Sequence, residues 1–324
     1  LGSGAGASHL LGGHHDAHQL LEDTLARHIG MPAALLYSTG YMANIGVVGS
    51  LMGRGDALFA DRLNHASLMD ACQLSRAEHI RYRHGDLDHL EELLRESKAP
   101  GKMIVSDAVF SMDGDIADAQ GLLELAVRYG AWLYLDDAHG YGVLGEDGRG
   151  TLDDQGLTAG LSGHPMLIYM ATLGKAVGVH GAFVAAHGAV IDWLVNRSRT
   201  YIYTTAMPPD AAAIIVSNIE RMRTQSWRRE RLHANVARFR QSMQARNHPL
   251  LPSRTAIQPY MVGGEDDALS LMRDLESAGL YVPAIRPPTV PTGGSRLRIS
   301  ISALHEAADI DCLVSALEDC AHAR

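Results

Sequence analysis

The chain has 324 residues, 46% hydrophobic and 20% charged, which suits a folded protein with one large domain and one smaller one. A formal charge of −9 with no Lys/Arg-dense stretch argues against a nucleic-acid surface, and no run of 18 apolar residues is present to span a membrane. Three scattered cysteines, Cys72, Cys312 and Cys320, are too few for a disulfide framework or a zinc cage and fit a reducing cytoplasm.

The chain opens on Leu1 in a glycine-rich loop that is neither a signal nor a transit peptide, so it reads as an internal segment with residues expected before it. The first helix is expected to start at Asp16 as N-cap, to bury Leu20, Leu21, Leu25 and Ile29, and to stop at Gly30. Short apolar runs follow at Ala34–Tyr37, Ala57–Ala60, Met103–Val109, Trp132–Leu135, Leu167–Ala171 and Ala182–Ala186. Helix-length segments lie between several of them, such as Asp88–Ser97 and Gln120–Tyr129. Strands apolar on both faces and alternating with helices imply an α/β fold with a mainly parallel, covered sheet. The pattern then changes. A long Arg-rich helix over 210–245 is followed by a strand at Ile257–Val262, a helix at 266–278 and strands at 281–285 and 296–301. The expected division is a large domain over 1–208 and a small α+β domain over 209–324. The methionines read as core filling and the arginines of 221–240 as a solvated helix face.

Five strand ends carry chemistry. Asp136-Asp137-Ala138-His139 closes one buried strand, where open α/β sheets place their ligands. Thr172-Leu173-Gly174-Lys175 closes the next. A partly buried lysine there suits Schiff-base chemistry, because burial frees the amine lone pair. Pyridoxal phosphate (PLP) needs both a lysine for the imine and a carboxylate to keep the pyridine nitrogen protonated. Ser38-Thr39-Gly40-Tyr41 opens a helix whose free N–H groups suit a phosphate, and the Thr172 hydroxyl can add to them. His65 follows a further strand and can stack on a flat ring or cap the next helix. Ser111 sits in a polar turn, positioned to bond ring or phosphate or simply to make the turn.

Together these motifs resemble the α-oxoamine synthases, PLP enzymes of fold type I that join an amino acid to an acyl thioester. The resemblance rests on Phe110-Ser111-Met112-Asp113-Gly114-Asp115, Asp136 to His139, Thr172 to Lys175 and Tyr201 to Pro209. It implies that Lys175 holds the cofactor and moves the Cα proton, that Asp136 pairs with the pyridinium and that His139 bonds the ring 3-hydroxyl. It further implies that His65 stacks on the ring and meets substrate, and that Gly40, Tyr41 and Thr172 hold the phosphate with Ser111 nearby. Thr204 corresponds to a residue that reaches the phosphate of a partner subunit, which implies a homodimer with shared sites. Arg298 resembles the residue that binds the substrate carboxylate, Arg296 is second to it, and Arg286 and Thr289 match a segment lining the substrate site. Within the family, Ala256 to Tyr260, Ala284 to Pro291 and Asp136 to Gly140 are most similar to the member that condenses L-alanine with pimeloyl-CoA or a pimeloyl-carrier protein. The family's Asn-Asp-Tyr-Leu-Gly-Leu-type string, which belongs to the acyl pocket, has no counterpart here.

Three other readings compete. A sister activity would use glycine and a short acyl-CoA, as the 2-amino-3-ketobutyrate-forming enzymes do. A non-catalytic binding protein on the same fold would have no chemical need for Lys175. His14, His15 and His18 lie close enough in sequence to suggest a metal, but lack an acidic partner at ligand spacing, so they read as cap or surface residues and no metal is expected.

Overall fold

The computed structural model describes residues 3–157, 164–246, 248 and 250–322. It comprises two units: Leu1–Phe110 with Ala117–Thr224, and Ser111–Ile116 with Gln225–Arg324.

The first unit is built on seven strands: β1 (Ala33–Tyr37), β2 (Ala57–Asp61), β3 (Glu78–Tyr82), β4 (Lys102–Asp107), β5 (Trp132–Asp136), β6 (Leu167–Thr172) and β7 (Ala182–Ala186). Their order is β1-β7-β6-β5-β4-β2-β3. The pairs from β3 through β6 are all parallel, while β7 runs antiparallel to both β6 and β1. Side-chain alternation along each strand divides the core in two. Leu36, Phe59, Ile104, Leu133, Leu135 and Tyr169 pack on one face; Tyr37, Leu58, Val105, Tyr134, Ile168 and Met170 pack on the other. Burial on both faces is why these strands read as unbroken apolar runs. β3 escapes that reading because it is an edge strand whose Glu78, His79, Ile80 and Arg81 are not buried, with only Tyr82 in the core.

The helices of this unit are α1 (Asp16–Ile29), α2 (Gly40–Leu51), α3 (Ala66–Ser75), α4 (Leu87–Glu96), α5 (Ala119–Arg128), α6 (Thr151–Asp154), α7 (Gly188–Arg197), α8 (Arg199–Ile202) and α9 (Pro209–Thr224). α1 stops at Gly30, whose φ of 71° suits a residue without a Cβ. Its N-cap is His15 rather than Asp16: the His15 and His18 rings each accept a backbone N–H of the other residue, closing a capping box. Leu20, expected in the core, is 52% exposed.

The unit boundary also differs from the expected 208/209. α9 buries Ala212, Ile215 and Ile219 in the same cluster as Leu21 and Leu25 of α1, so it belongs to the first unit. The expected long helix over 210–245 is therefore two helices, each burying its own stripe, with the break at Gln225-Ser226. The second unit holds α10 (Trp227–Ala245), β8 (Ile257–Gly263), α11 (Glu265–Ser277), β9 (Ala284–Ile285), β10 (Ser295–Ser300) and α12 (Ala307–His322). Its sheet is antiparallel in the order β8-β10-β9. α10 buries Leu232, Val236, Phe239 and Met243 at helical spacing. The Ser111–Ile116 segment joins this unit through the Gly114 carbonyl, which accepts the hydroxyls of Ser253 (2.9 Å) and Thr255 (3.2 Å).

Glu22 of α1 is buried and accepts the Leu36 N–H of edge strand β1 at 3.0 Å. Burial pushes its carboxyl up to about 8 from an ordinary 4.5. Across that window the folded protein keeps a proton that the unfolded chain has released, so this group makes stability fall as pH rises, by at most ~1.4 kcal/mol per pH unit. Glu22→Gln keeps the acceptor and is expected to remove the slope between pH 5 and 8 in urea-unfolding series. An unchanged slope would show that Glu22 is ionised in the fold.

Candidate active site

The site lies at the carboxyl ends of β2, β4, β5 and β6 and the start of α2, all in the first unit. β4 and β5 end in register with Asp107 beside Asp136, both buried. Burial pushes Asp107 well above the usual carboxylate range, and the Asp136 charge adds to it. Asp136 is also raised by burial, but its opposing influences are stronger: it accepts the Asn44 amide at 2.9 Å and the Ala138 N–H at 3.0 Å, and it feels the charge of Lys175. Asp107 accepts the His65 N–H at 2.7 Å. The larger donor set opposes the rise at Asp136 more than at Asp107, so Asp136 is the more readily ionised of the two.

β6 delivers Lys175, whose Nζ lies 2.9 Å from His139 Nε2. The lysine is exposed, not partly buried as expected; the loop after Thr172 turns back to β7, with Leu173 N–H bonding Gly181 O at 2.8 Å, and carries residues 174–176 outward. Asn218 of α9 holds that loop from behind, its amide 2.9 Å from Val177 O. His65 is the N-cap of α3, its Nδ1 accepting the Ser67 N–H at 3.2 Å, and its side chain is otherwise exposed. Capping and ring stacking, alternatives in the sequence, are therefore compatible.

At α2 the Thr39 hydroxyl takes the Met42 N–H at 3.1 Å. The N–H groups of Gly40 and Tyr41 open the helix and have no acceptor within it, which is the ordinary condition of an anion-binding helix start. The Tyr41 hydroxyl is engaged by Asp70 of α3. Thr172 spends its hydroxyl hydrogen on Gly181 O at 3.1 Å. Thr204 is half-buried in the segment after α8, where the Ser8–Thr205 bridge and the Ala206 N–H to Ala7 O bond fix its neighbours.

The other expected residues belong to the second unit. Arg298 of β10 donates to Ser111 O at 2.5 Å and Ser300 Oγ at 2.9 Å, and among the described residues it has no carboxylate partner. Arg296, by contrast, is paired with Asp113. Arg286 and Thr289 are exposed on one turn, joined by a Thr289 N–H to Arg286 O bond of 3.1 Å.

Two features went unread in the sequence. Asp137 is fully buried and receives Thr151 N–H (2.7 Å), Thr151 Oγ1–H (2.7 Å) and Tyr169 O–H (2.8 Å), which pins the loop that begins with His139. The doubled Asp was visible, but its donors come from 14 and 32 residues away. His18, taken as a cap or surface residue, is fully buried against Met207 O at 2.7 Å and clusters with His9 and His14, whose Nδ1 atoms are 2.9 Å apart. Its spacing from Leu21 and Leu25 places it on the buried stripe, which was the available signal. Both His18 ring nitrogens are spent on protein hydrogen bonds, so the cluster serves as packing between the N-terminal loop and residues 201–207.

The donor set fits PLP. An amine acts electrostatically on a carboxylate that has lone pairs left for a ring N–H, an imidazole lies at the amine, a second, exposed imidazole acts on the same carboxylate, and a helix start is available for the phosphate. A seven-stranded α/β sheet with this arrangement at its strand ends defines a fold type I PLP-dependent transferase. The model of the family "Aminotransferase class I and II" matches residues 4–317, and the chain belongs to that family. It is 54% identical over 319 residues to an 8-amino-7-oxononanoate synthase of Herminiimonas arsenicoxydans, covering 98% of this chain and 82% of the relative. A Nitrosomonas europaea protein of the same name is 55% identical over 321 residues, covering 99% and 82%. Among solved structures, serine palmitoyltransferase from S. paucimobilis with a bound PLP–myriocin aldimine superposes with a TM-score of 0.93 at 33% identity, covering 100% of this chain and 81% of that one. The 8-amino-7-oxononanoate synthase of Francisella tularensis gives 0.82 at 29% identity, covering 95% and 87%.

Asp137→Ala would orphan three buried donors, at ~1–3 kcal/mol each, and is expected to lower the thermal midpoint sharply. Asp137→Asn can still accept two of them while the Thr151 hydroxyl turns to accept, so it should remain folded with a small loss. Equal midpoints for the two variants would remove Asp137 from the role of loop anchor.

Proposed function

We propose that the chain catalyses the decarboxylative condensation of L-alanine with pimeloyl-CoA, or pimeloyl-carrier protein, to 8-amino-7-oxononanoate, CO2 and free thiol, a step of biotin biosynthesis. The observation that carries the chemistry is Lys175 Nζ at 2.9 Å from His139, in electrostatic contact with buried Asp136. The choice of substrates rests on relatives 54–55% identical over almost the whole chain.

PLP, when bound, supplies an electron-withdrawing ring that stabilises negative charge at the amino-acid Cα. The chain's own groups do the rest. Asp136 keeps a proton on the ring nitrogen. Lys175, displaced as a free amine by alanine, removes the Cα proton and later returns one. The Cα then bonds to the thioester carbonyl, the thiol leaves and the alanine carboxyl departs as CO2. His139 would bond the ring 3-hydroxyl. His65 would stack on the ring and meet the substrate. Gly40, Tyr41 and Thr172 hold the phosphate with Ser111. Arg298, without a carboxylate partner among the described residues, is the proposed anchor for the alanine carboxylate, and Arg286 and Thr289 would contact substrate. Thr204 serves the phosphate of a second subunit, so the working form is a homodimer; its compartment is the cytoplasm.

The test is thiol release by PLP-loaded protein with alanine, glycine or serine, each against pimeloyl-, acetyl-, succinyl- and palmitoyl-CoA. Release confined to alanine and pimeloyl-CoA is expected. Glycine with a short acyl-CoA, or serine with palmitoyl-CoA, would move the protein to a sister activity. Lys175→Ala is expected to lose borohydride-trapped PLP and all turnover; a trapped adduct persisting in that variant would overturn the assignment. Arg298→Ala is expected to raise the KM for alanine by at least about tenfold, roughly the worth of a charge-assisted hydrogen bond, with the KM for the thioester little changed. An unaltered alanine KM would remove Arg298 from the carboxylate.

A further inference from the structure

Asp136 and His65 approach the ring site from different strand ends, yet one buried side chain links them. Asn44, in the second turn of α2, is 1% exposed. Its Nδ2 lies 2.9 Å from Asp136 Oδ2 and 2.8 Å from Ser67 Oγ, and its Oδ1 lies 2.7 Å from the Tyr134 hydroxyl. Ser67 Oγ in turn is 2.7 Å from His65 Nδ1. Tyr134 precedes Asp136 by two residues on β5, so both face α2.

The direction of the bonds in this chain follows once Asp136 is ionised. An ionised carboxylate only accepts, so the Asn44 amide must turn its NH2 group to Asp136; the opposite flip would set two acceptors 2.9 Å apart. That leaves Oδ1 to accept the Tyr134 hydroxyl hydrogen. The second amide hydrogen goes to Ser67 Oγ, which leaves the Ser67 hydroxyl hydrogen free for His65 Nδ1. The Ser67 backbone N–H also points at Nδ1, at 3.2 Å. Nδ1 is thereby an acceptor twice over, and the neutral ring carries its proton on Nε2.

We propose that Asn44 is a positioning residue that orients the Asp136 carboxylate and, through Ser67, fixes His65 as the Nε2–H tautomer. The consequence for chemistry rests on the reading of Asp136 and His65 as cofactor contacts: the two groups that hold the ring from its nitrogen and its face are set by one amide. His65 then offers substrate a hydrogen-bond donor at Nε2.

The first measurement is made without PLP. Long-range 15N–1H correlation on histidine-labelled, cofactor-free protein reports the tautomer of each ring, and His65→Gln identifies the signal. Wild type is expected as Nε2–H. Asn44→Asp replaces the donating amide by a carboxylate that draws the Ser67 hydroxyl hydrogen to itself, so the His65 signal is expected to shift toward Nδ1–H. Ser67→Ala cuts the same link without touching Asp136 and should perturb the His65 signal while leaving the fold unchanged by circular dichroism. The second measurement uses loaded protein. In Asn44→Asp two carboxyl groups 2.9 Å apart share a proton, so Asp136 offers less negative charge to the ring nitrogen and the pH titration of the lysine-bound PLP absorbance is expected to move upward by at least about half a unit, whereas Ser67→Ala leaves it in place. Turnover should fall in Asn44→Asp by roughly tenfold or more, as is common for residues that orient a functional group without touching substrate. A wild-type Nδ1–H tautomer, or a His65 signal indifferent to both variants, overturns the proposal even if PLP binds normally. Failure to take up PLP would instead overturn the reading of the site and leave the tautomer result standing.

Discussion

Burying a carboxylate at the end of a central strand costs several kcal/mol unless donors or a cation meet it, and this fold buries three together. Asp107, Asp136 and Asp137 end β4 and β5 with exposures of 5%, 4% and 0%. Burial raises all three, and the partners supplied to each separate their roles. Asp137 is met by three donors from Thr151 and Tyr169 and becomes structure. Asp107 receives a backbone N–H of His65 and is further raised by its neighbour. Asp136 is stabilised by Asn44 and Ala138, and the Lys175 charge acts on both members of the pair. Asp136 is the one that combines two donors with a nearby amine, the combination that a protonated heterocycle bonded to a lysine requires.

That requirement shaped the surrounding chain. Gly150, at φ 92°, lies against the Asp137 carboxylate, where a Cβ would collide with Oδ2, so the loop from His139 to Thr151 closes over Asp137 only with glycine there. His65 is fixed at its backbone by Asp107 and at its ring by Ser67. The parallel pairing from β2 to β6 brings these strand ends to one edge of the sheet, so residues over a hundred positions apart, such as His65 and Lys175, act on the same two carboxylates.

The sequence disclosed the elements whose signal is local. Six strands, the Gly30 stop and the cluster of Lys175, Asp136 and His139 follow from apolar runs and from residue types at strand ends. β3 was hidden because an edge strand needs no apolar run, and its Glu78, His79 and Arg81 look like loop. The unit boundary was misplaced because α9 and α10 form one Arg-rich helical pattern, and only packing against Leu21 and Leu25 assigns the first of them to the large sheet. Asp137, Asn44 and His18 were passed over for a shared reason: a buried polar residue is recognised by its partners, and those partners lie up to 189 residues away. Lys175 shows the converse error. Its meeting with His139 was legible, but its exposure was not, since the loop turn back to β7 exposes it.

α2 joins the two halves of the site. Its first N–H groups offer an anion the positive end of the helix, and Asn44, four residues after Gly40, reaches back to Asp136. Both functions require the same placement of the helix, which Ala43, Val47 and Val48 secure by packing on the face that contains Tyr134 and Met170. Glycine at position 46 lets α8 pack closely there, because a Cβ would strike Ser198 and Thr200. A displacement of α2 would therefore disturb the free N–H groups at its start and the Asp136 carboxylate together. The apolar core beneath the helix thus sets the geometry of the candidate site.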